Sequence, residues 1–146
     1  MYKKLLFLCV FLFVFGILFA DNINATIEIN GVIVNGGLVY VAVYSNENDY
    51  KAEKPFVKFI LNPASGRITH SLELPNGEYV VSVFQDTNSN GDLDTNLFGI
   101  PSEPIGKTNY GLRGAPGGFN KLKTPVNKNS AKLIVNMGKV KALGII

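Results

Sequence analysis

Residues 67–94 read RITHSLELPNGEYVVSVFQDTNSNGDLD, and this stretch decides the fold. Side chains before Pro75 alternate in character, and the apolar or ring-bearing ones share one face: Ile68, His70, Leu72 and Leu74. A period of two is typical of a strand that is half buried in a sheet. PNG then marks a turn, and EYVVSVFQ at 78–85 reads as a second strand. We therefore predict two strands joined by a tight turn, followed by an oxygen-rich loop.

The same period extends in both directions along the chain. ATIEI at 25–29 alternates, NG at 30–31 marks a turn, and VIV at 32–34 and FVKFIL at 56–61 read as strands. LVYVAVYS at 38–45 is apolar at both parities, which indicates a strand buried on both sides. AKLIVNM at 131–137 and VKALGII at 140–146 close the pattern as further strands, and no segment has a convincing helical period. The sequence predicts an all-β antiparallel sandwich, transthyretin-like or immunoglobulin-like.

The first 20 residues have the pattern of a targeting segment. Lys3 and Lys4 give a charged start, an apolar run follows at 5–19, and Ala20 ends a small-residue cleavage site. The alternative is an N-terminal membrane anchor, but a run of about 15 residues is short for a bilayer core of roughly 30 Å. We expect a signal peptide at 1–20, a single sandwich domain at 21–146, and an exported protein that is periplasmic or extracellular.

Removal of that segment changes the bulk composition. Two of the 14 basic residues are lost, which leaves 12 against 11 acidic residues and a net charge of about +1. The only cysteine, Cys9, is lost as well, so disulfides and thiolate metal sites are not expected. No basic run with interleaved aromatics suggests nucleic acid, and no second apolar span suggests a membrane protein after cleavage.

The loop that follows the second strand has the spacing of a calcium loop. Asp86, Asn88, Asn90 and Gly91 match positions one, three, five and six of the pattern D-x-D/N-x-D/N-G. Position seven contributes a backbone carbonyl, and a hard cation prefers such oxygen ligands on a tightly curled loop. We predict that one calcium ion is bound by five residues: Asp86, Asn88, Asn90, Asp92 and Asp94.

The pattern is incomplete at position twelve, where Leu97 replaces a bidentate glutamate. Glu103, Asn96 or water would have to complete the shell. A shell with fewer charges should bind weakly, at roughly 10⁻⁴ to 10⁻³ M, and we expect a structural ion. The alternative is a polar turn whose Asn and Asp side chains cap their own backbone.

Residues 95–129 form a long glycine- and proline-rich excursion, with nine such residues between positions 99 and 118. This composition predicts a loop without regular elements, and loops of that length are usually functional or held by a ligand. Tyr110, Arg113 and Phe119 form a candidate ligand face, because exposed aromatics beside arginine mark many binding surfaces. The alternative is that Tyr110 and Phe119 anchor the loop to the sandwich.

Catalytic patterns are absent from the sequence. His70 is the only histidine, and its parity places it with apolar residues. No serine stands in a nucleophile elbow, and zinc would have a single histidine and no cysteine after cleavage. We therefore expect that the protein is not an enzyme.

Two stretches carry a family resemblance: LPNGEYVVSVFQDTNSNGDLDTNLFGIPSEPIG at 74–106 and TNYGLRGAPGGF at 108–119. Across about residues 24–140 the chain resembles the exported bacterial family catalogued as domain of unknown function 2141. More distantly, LPNGEYVVSVFQDTNSNGDLD at 74–94 is similar to transthyretin-like and collagen-adhesin B-type modules. The resemblance implies a β-sandwich, an exported location and a match at the metal loop, whereas Ile105 and Lys107 depart from the aromatic character expected there. The transthyretin-like hydrolases rely on several histidines, which this chain lacks.

The sequence thus predicts an accessory or binding module whose partner is an envelope protein or a glycan. Two alternatives remain: an architectural subunit of an envelope assembly and, with less support, an uncharacterised hydrolase.

Overall fold

The computed structural model describes residues 21–141, so the predicted signal peptide at 1–20 and most of the predicted strand at 140–146 lie outside the described residues. Two sheets pack face to face. The three-stranded sheet has the order β4 (Arg67–Pro75), β1 (Asn22–Asn30), β8 (Lys132–Asn136). The five-stranded sheet has the order β3 (Val57–Leu61), β2 (Val39–Tyr44), β5 (Gly77–Gln85), β6 (Ile105–Lys107), and β7 (Thr124–Val126) also pairs with β5. Two short helices, α1 (Glu47–Lys51) and α2 (Phe119–Leu122), lie in the connections.

The all-β sandwich is confirmed, with one parallel pair in it. β4 and β1 are antiparallel, whereas β1 and β8 run in the same direction. β7 ends beside Gly77, and β1 begins with Asn22 opposite Pro75, so both lie at one end of the sandwich. β8 starts with Lys132 opposite Thr26 in the middle of β1 and ends opposite Asn30, so it runs parallel to the second half of that strand.

The core lies between the inner faces of the two sheets, where alternate residues of each strand meet. In the three-stranded sheet Ile27, Ile29 and Leu133 are fully buried, and Val43 and Val81 face them from the five-stranded sheet. The predicted alternation in β4 is confirmed by its burial pattern. His70 is half-buried, and its ring stacks on Phe59 with 4.4 Å between ring centres.

Residues 32–34, predicted as a strand, form a loop. The fully buried Gln85 takes the place of a neighbouring strand: its Oε1 accepts from the Ile33 N–H at 2.9 Å. Its Nε2 donates to the carbonyls of Ile33 at 2.7 Å and Gly37 at 3.1 Å. The Gln85 side chain therefore satisfies three backbone groups of this loop that would otherwise need a neighbouring strand.

The excursion at 95–129 contains more regular structure than predicted. It includes β6, α2 and β7, and β6 is placed against β5 on one side and the β8 segment on the other. Gly106 permits this approach, because a Cβ atom there would lie 2.6 Å from Val135 Cγ1 and 2.8 Å from the Asn136 oxygen. The glycine that argued against a strand is the residue that lets this one pack.

Candidate functional site

β5 delivers the first residue of the oxygen-rich loop to the end of the five-stranded sheet. Asp86 follows the last residue of β5, is only 2 % exposed, and donates its backbone N–H to the Leu38 carbonyl. Its Oδ1 accepts from the Asn90 N–H at 3.2 Å and its Oδ2 from the Gly91 N–H at 2.8 Å. One buried carboxylate thus curls residues 86–91 around itself.

A second carboxylate closes the ring from the other side. Asp94 Oδ2 accepts from the side-chain amides of Asn88 at 2.6 Å and Asn90 at 2.9 Å. The structure therefore brings together four of the five predicted ligands, Asp86, Asn88, Asn90 and Asp94. The Asp92 residue is exposed, and its N–H donates to Asn90 Oδ1.

Glu103 fastens this loop to the excursion. It is 3 % exposed, and its Oε1 accepts from the N–H of Thr87 at 2.7 Å and from the Thr87 hydroxyl at 3.2 Å. Its Oε2 accepts from the Asp94 N–H at 3.2 Å. Asn96, the other candidate for completing the shell, instead caps its own turn by accepting from Phe98 and Ile100. Of the two candidates, Glu103 is therefore the one that forms hydrogen bonds with the oxygen-rich loop.

The donor set of the loop consists of oxygen atoms only, which suits a hard cation such as calcium. Within residues 21–141, no group of three or more His, Cys, Asp or Glu side chains is placed to hold a metal ion. A cation here would therefore depend on the two asparagine amides and on backbone oxygens as well as on Asp86 and Asp94.

The three residues considered as a ligand face are not presented together. Tyr110 and Phe119 are buried, at 8 % and 5 % exposure, and only Arg113 is exposed. The Tyr110 hydroxyl donates to the Gly114 carbonyl, and burial raises the pKa of this tyrosine. Phe119 begins α2 and packs near Tyr50. Tyr110 and Phe119 thus have the anchoring positions of the alternative interpretation.

A groove of about 870 Å³ lies on the outer face of the five-stranded sheet, between α1 and the oxygen-rich loop. The groove is deepest in the middle, because the small residues Ala42 and Ser82 are paired there across β2 and β5. On the side of the loop, Tyr40 and Phe84 stack with 4.7 Å between ring centres and 9° between ring planes. We call this surface the sheet groove.

The opposite side of the sheet groove is formed by Tyr44 and Tyr50, whose rings meet edge to face at 5.2 Å. Lys107 Nζ donates to the Tyr50 hydroxyl at 3.0 Å and lies 4.8 Å from the centre of that ring. Burial, and to a smaller degree the charge of Glu53, raises the pKa of Tyr44. A tyrosine hydroxyl is protonated at neutral pH even at its ordinary pKa of about 10, so it can donate a hydrogen bond there.

The prediction of a strand without an exposed face at 38–45 is confirmed for β2, in which every residue is buried or half-buried, and the sheet groove lies over part of its outer face. The inward positions of β2 are valines, whereas the outward positions are Tyr40, Ala42 and Tyr44. Tyr44 is buried in a second apolar cluster with Val80 and Phe119, whereas Tyr40 is half-buried, so this face of β2 is covered at one end and more open at the other. Tyrosine carries a hydroxyl that seeks a partner, so Tyr40 and Tyr44 at one parity were the sequence signal for the polar part of this surface.

Comparison with known proteins gives a family for this fold and loop. The family model described as uncharacterized protein conserved in bacteria (DUF2141) matches residues 27–134. No curated protein and no solved structure matches the chain. None of the helices formed by residues 21–141 has the length and apolar character needed to cross a membrane.

Proposed function

Because this chain belongs to the uncharacterized bacterial family DUF2141, we propose its function from its own residues. It is an exported, non-catalytic β-sandwich that serves as an accessory or binding module. Its loop at 86–94 is ordered by one weakly bound, structural calcium ion.

The observation that carries the calcium proposal is the closure of the loop around Asp94. The amide nitrogens of Asn88 and Asn90 both lie within hydrogen-bond distance of one Asp94 oxygen, while Asp86 holds the opposite side from β5. A rotation of about 180° exchanges the nitrogen and oxygen of an asparagine amide with little change in shape. The same side chains can thus offer oxygens to a cation bound by the two carboxylates.

The export proposal is supported by the charged start and apolar run of residues 1–20. An exported location also agrees with the weak calcium binding that we expect. Extracellular calcium modules function with dissociation constants of roughly 10⁻⁴ to 10⁻³ M, whereas cytosolic sensors bind more tightly. The partner of such a module is an envelope protein or a glycan.

Calorimetry with calcium tests the metal proposal. We expect binding heat at millimolar calcium, and a thermal midpoint that is higher in 10 mM calcium than in chelator. With a dissociation constant between 10⁻⁴ and 10⁻³ M, mass action predicts about 1.4–2.7 kcal/mol of added stability. Absence of heat together with equal midpoints in calcium and chelator would reject the ion.

Two variants of the same loop give a matched comparison. Asp94→Asn removes a carboxylate that the loop is closed around and should abolish the calcium-dependent part of the stability. Asp92→Asn removes the same charge from an exposed side chain whose proposed ligand is the backbone carbonyl, so it should keep most of the effect. Equal losses in both variants would mean that only the net charge of the loop matters.

A second candidate, an architectural subunit of an envelope assembly, is favoured by one surface feature. At the tip of the excursion, Leu97 is 101 % and Phe98 is 87 % exposed, which places two large apolar side chains in contact with water. If an assembly uses these two side chains, replacing both by serine should abolish co-purification of the protein with its partners from envelope extracts. The thermal midpoint of the variant itself should stay unchanged.

A further inference from the structure

We propose that the sheet groove binds an acidic saccharide, a chain of sugar rings that carries carboxylate groups. The inference rests on the binding-module part of the proposed function and is independent of the calcium loop. The proposed ligand surface is the sheet groove, which is open to solvent, and not the face of Tyr110 and Phe119, which are buried.

The strand register fixes the shape of the groove. One row of paired residues crosses the sheet in the order Lys58, Ala42, Ser82, Lys107. Its two middle residues are small, whereas Tyr40 and Tyr44 stand two residues to either side of Ala42 along β2. At about 3.3 Å per residue these tyrosines are roughly 13 Å apart along the strand. The small residues thus leave a trough between two aromatic walls.

The polar groups in this trough favour a ligand rich in hydroxyls. Tyr40, Tyr44 and Ser82 line the groove with their hydroxyls, and within residues 21–141 no side-chain polar atom is both buried and unpaired, so a hydroxyl without a protein partner here is open to water. A wholly apolar ligand would cover these groups and leave them unsatisfied, at a cost in affinity. A sugar ring presents a C–H face that packs on aromatic rings and hydroxyls at its edge, so it satisfies both parts of the groove.

The charges favour an acidic sugar over a neutral one. Lys58 and Lys107 lie at the two ends of the central row, and Glu53 is the one acidic side chain among the lining residues. Lys107 is held by Tyr50, whereas Lys58 is exposed and has no ion-pair partner within the described part of the chain. Ammonium groups at both ends of a trough can each form a charge-assisted hydrogen bond to a carboxylate.

The test uses trigalacturonic acid as the acidic probe and maltotriose as the neutral one, with the purified protein in EDTA so that calcium plays no part. We expect amide chemical-shift changes from the acidic probe that cluster on β2, β5 and α1. By calorimetry its affinity should exceed that of maltotriose by about a hundredfold, the effect of two charge-assisted contacts that each change the affinity about tenfold.

Two variants and one control examine the residues. Lys58→Gln should weaken binding of trigalacturonic acid about tenfold, and Phe84→Leu should weaken binding of both saccharides by removing an aromatic wall. Lys139→Gln, an exposed lysine outside the groove, should bind as the unmodified protein does. Thermal midpoints show that each variant is folded.

Three results would overturn the inference: no shift changes with the acidic probe, changes located away from the groove, or equal affinity for the two saccharides. Failure of the calcium titration would leave these measurements unaffected, because they are made in chelator. Loss of saccharide binding with calcium binding intact would in turn reject the groove alone.

Discussion

Replacing Glu103 by glutamine tests whether this buried carboxylate holds the oxygen-rich loop to the excursion. The carboxylate accepts three hydrogen bonds, two from Thr87 and one from the Asp94 N–H. Glutamine has nearly the same shape, but it has only one acceptor oxygen. If that oxygen keeps the Thr87 contacts, an NH₂ group faces the Asp94 N–H, and two donors then meet where the residue is 3 % exposed.

The size of the effect follows from these contacts. A hydrogen bond to a charged group contributes about 1.5–3 kcal/mol, and a buried donor without a partner costs about 1–3 kcal/mol. The contacts to Thr87 survive in weaker form, so we expect a loss of about 3 kcal/mol. For a domain of roughly 120 residues, this loss corresponds to a decrease of roughly 10 °C in the thermal midpoint.

Thermal unfolding in EDTA measures this loss without any contribution from a bound ion. Glu73→Gln provides the control, since it is the same chemical change at an exposed position on β4. If Glu103→Gln and Glu73→Gln unfold at the same temperature as the unmodified protein, Glu103 does not act as a clamp. The excursion would then be held by contacts other than this carboxylate.

Two further predictions concern the backbone and pH. Gly37→Ala should destabilise by at least about 2 kcal/mol in chemical denaturation, because Gly37 has φ +95° and a Cβ there would lie 1.8 Å from the Asp86 carbonyl oxygen. Gly99→Ala, at φ +72° with no heavy atom within 4 Å, should cost only about 1 kcal/mol. The hydrogen bond from Lys132 lowers the pKa of Glu28 below its ordinary 4.5. The contribution of ionised Glu28 to the stability of the fold is therefore complete above pH 4.5, and it is lost as the pH falls through the lowered pKa. The midpoint difference between unmodified protein and Glu28→Gln should therefore shrink in acid, and a constant difference from pH 7 to pH 3 would contradict this.

The sandwich could be predicted from sequence because strands such as β4 have one polar and one apolar face, while β2 is apolar at both parities. In β4 the alternation of Ile68, His70 and Leu72 with polar neighbours sets which side meets the core, and the structure confirms it. The loop residues Asp86, Asn88, Asn90 and Asp94 could also be predicted to converge, because each is two or four positions from the next along one curled segment.

Long-range packing explains what could not be predicted. Gln85 satisfies a loop that lies about 50 positions earlier in the chain, and local periodicity contains no information about that contact. β6 is only three residues long, and it exists because β5 and the β8 segment flank it. The parallel direction of β8 likewise follows from its pairing with β1, a strand far from it in the sequence.

The pairing of β1 with β8 joins the first strand to the last one within residues 21–141. Until residues 132–136 have been synthesised, the outer edge of Thr26–Asn30 has no neighbour, and its backbone groups remain available to other chains. Contacts of such large sequence separation form slowly, so an emerging chain spends a long interval with an incomplete sheet. Translation stopped anywhere before β8 would thus release a polypeptide prone to aggregate, and a holding chaperone would have its clearest target in that unfinished N-terminal edge.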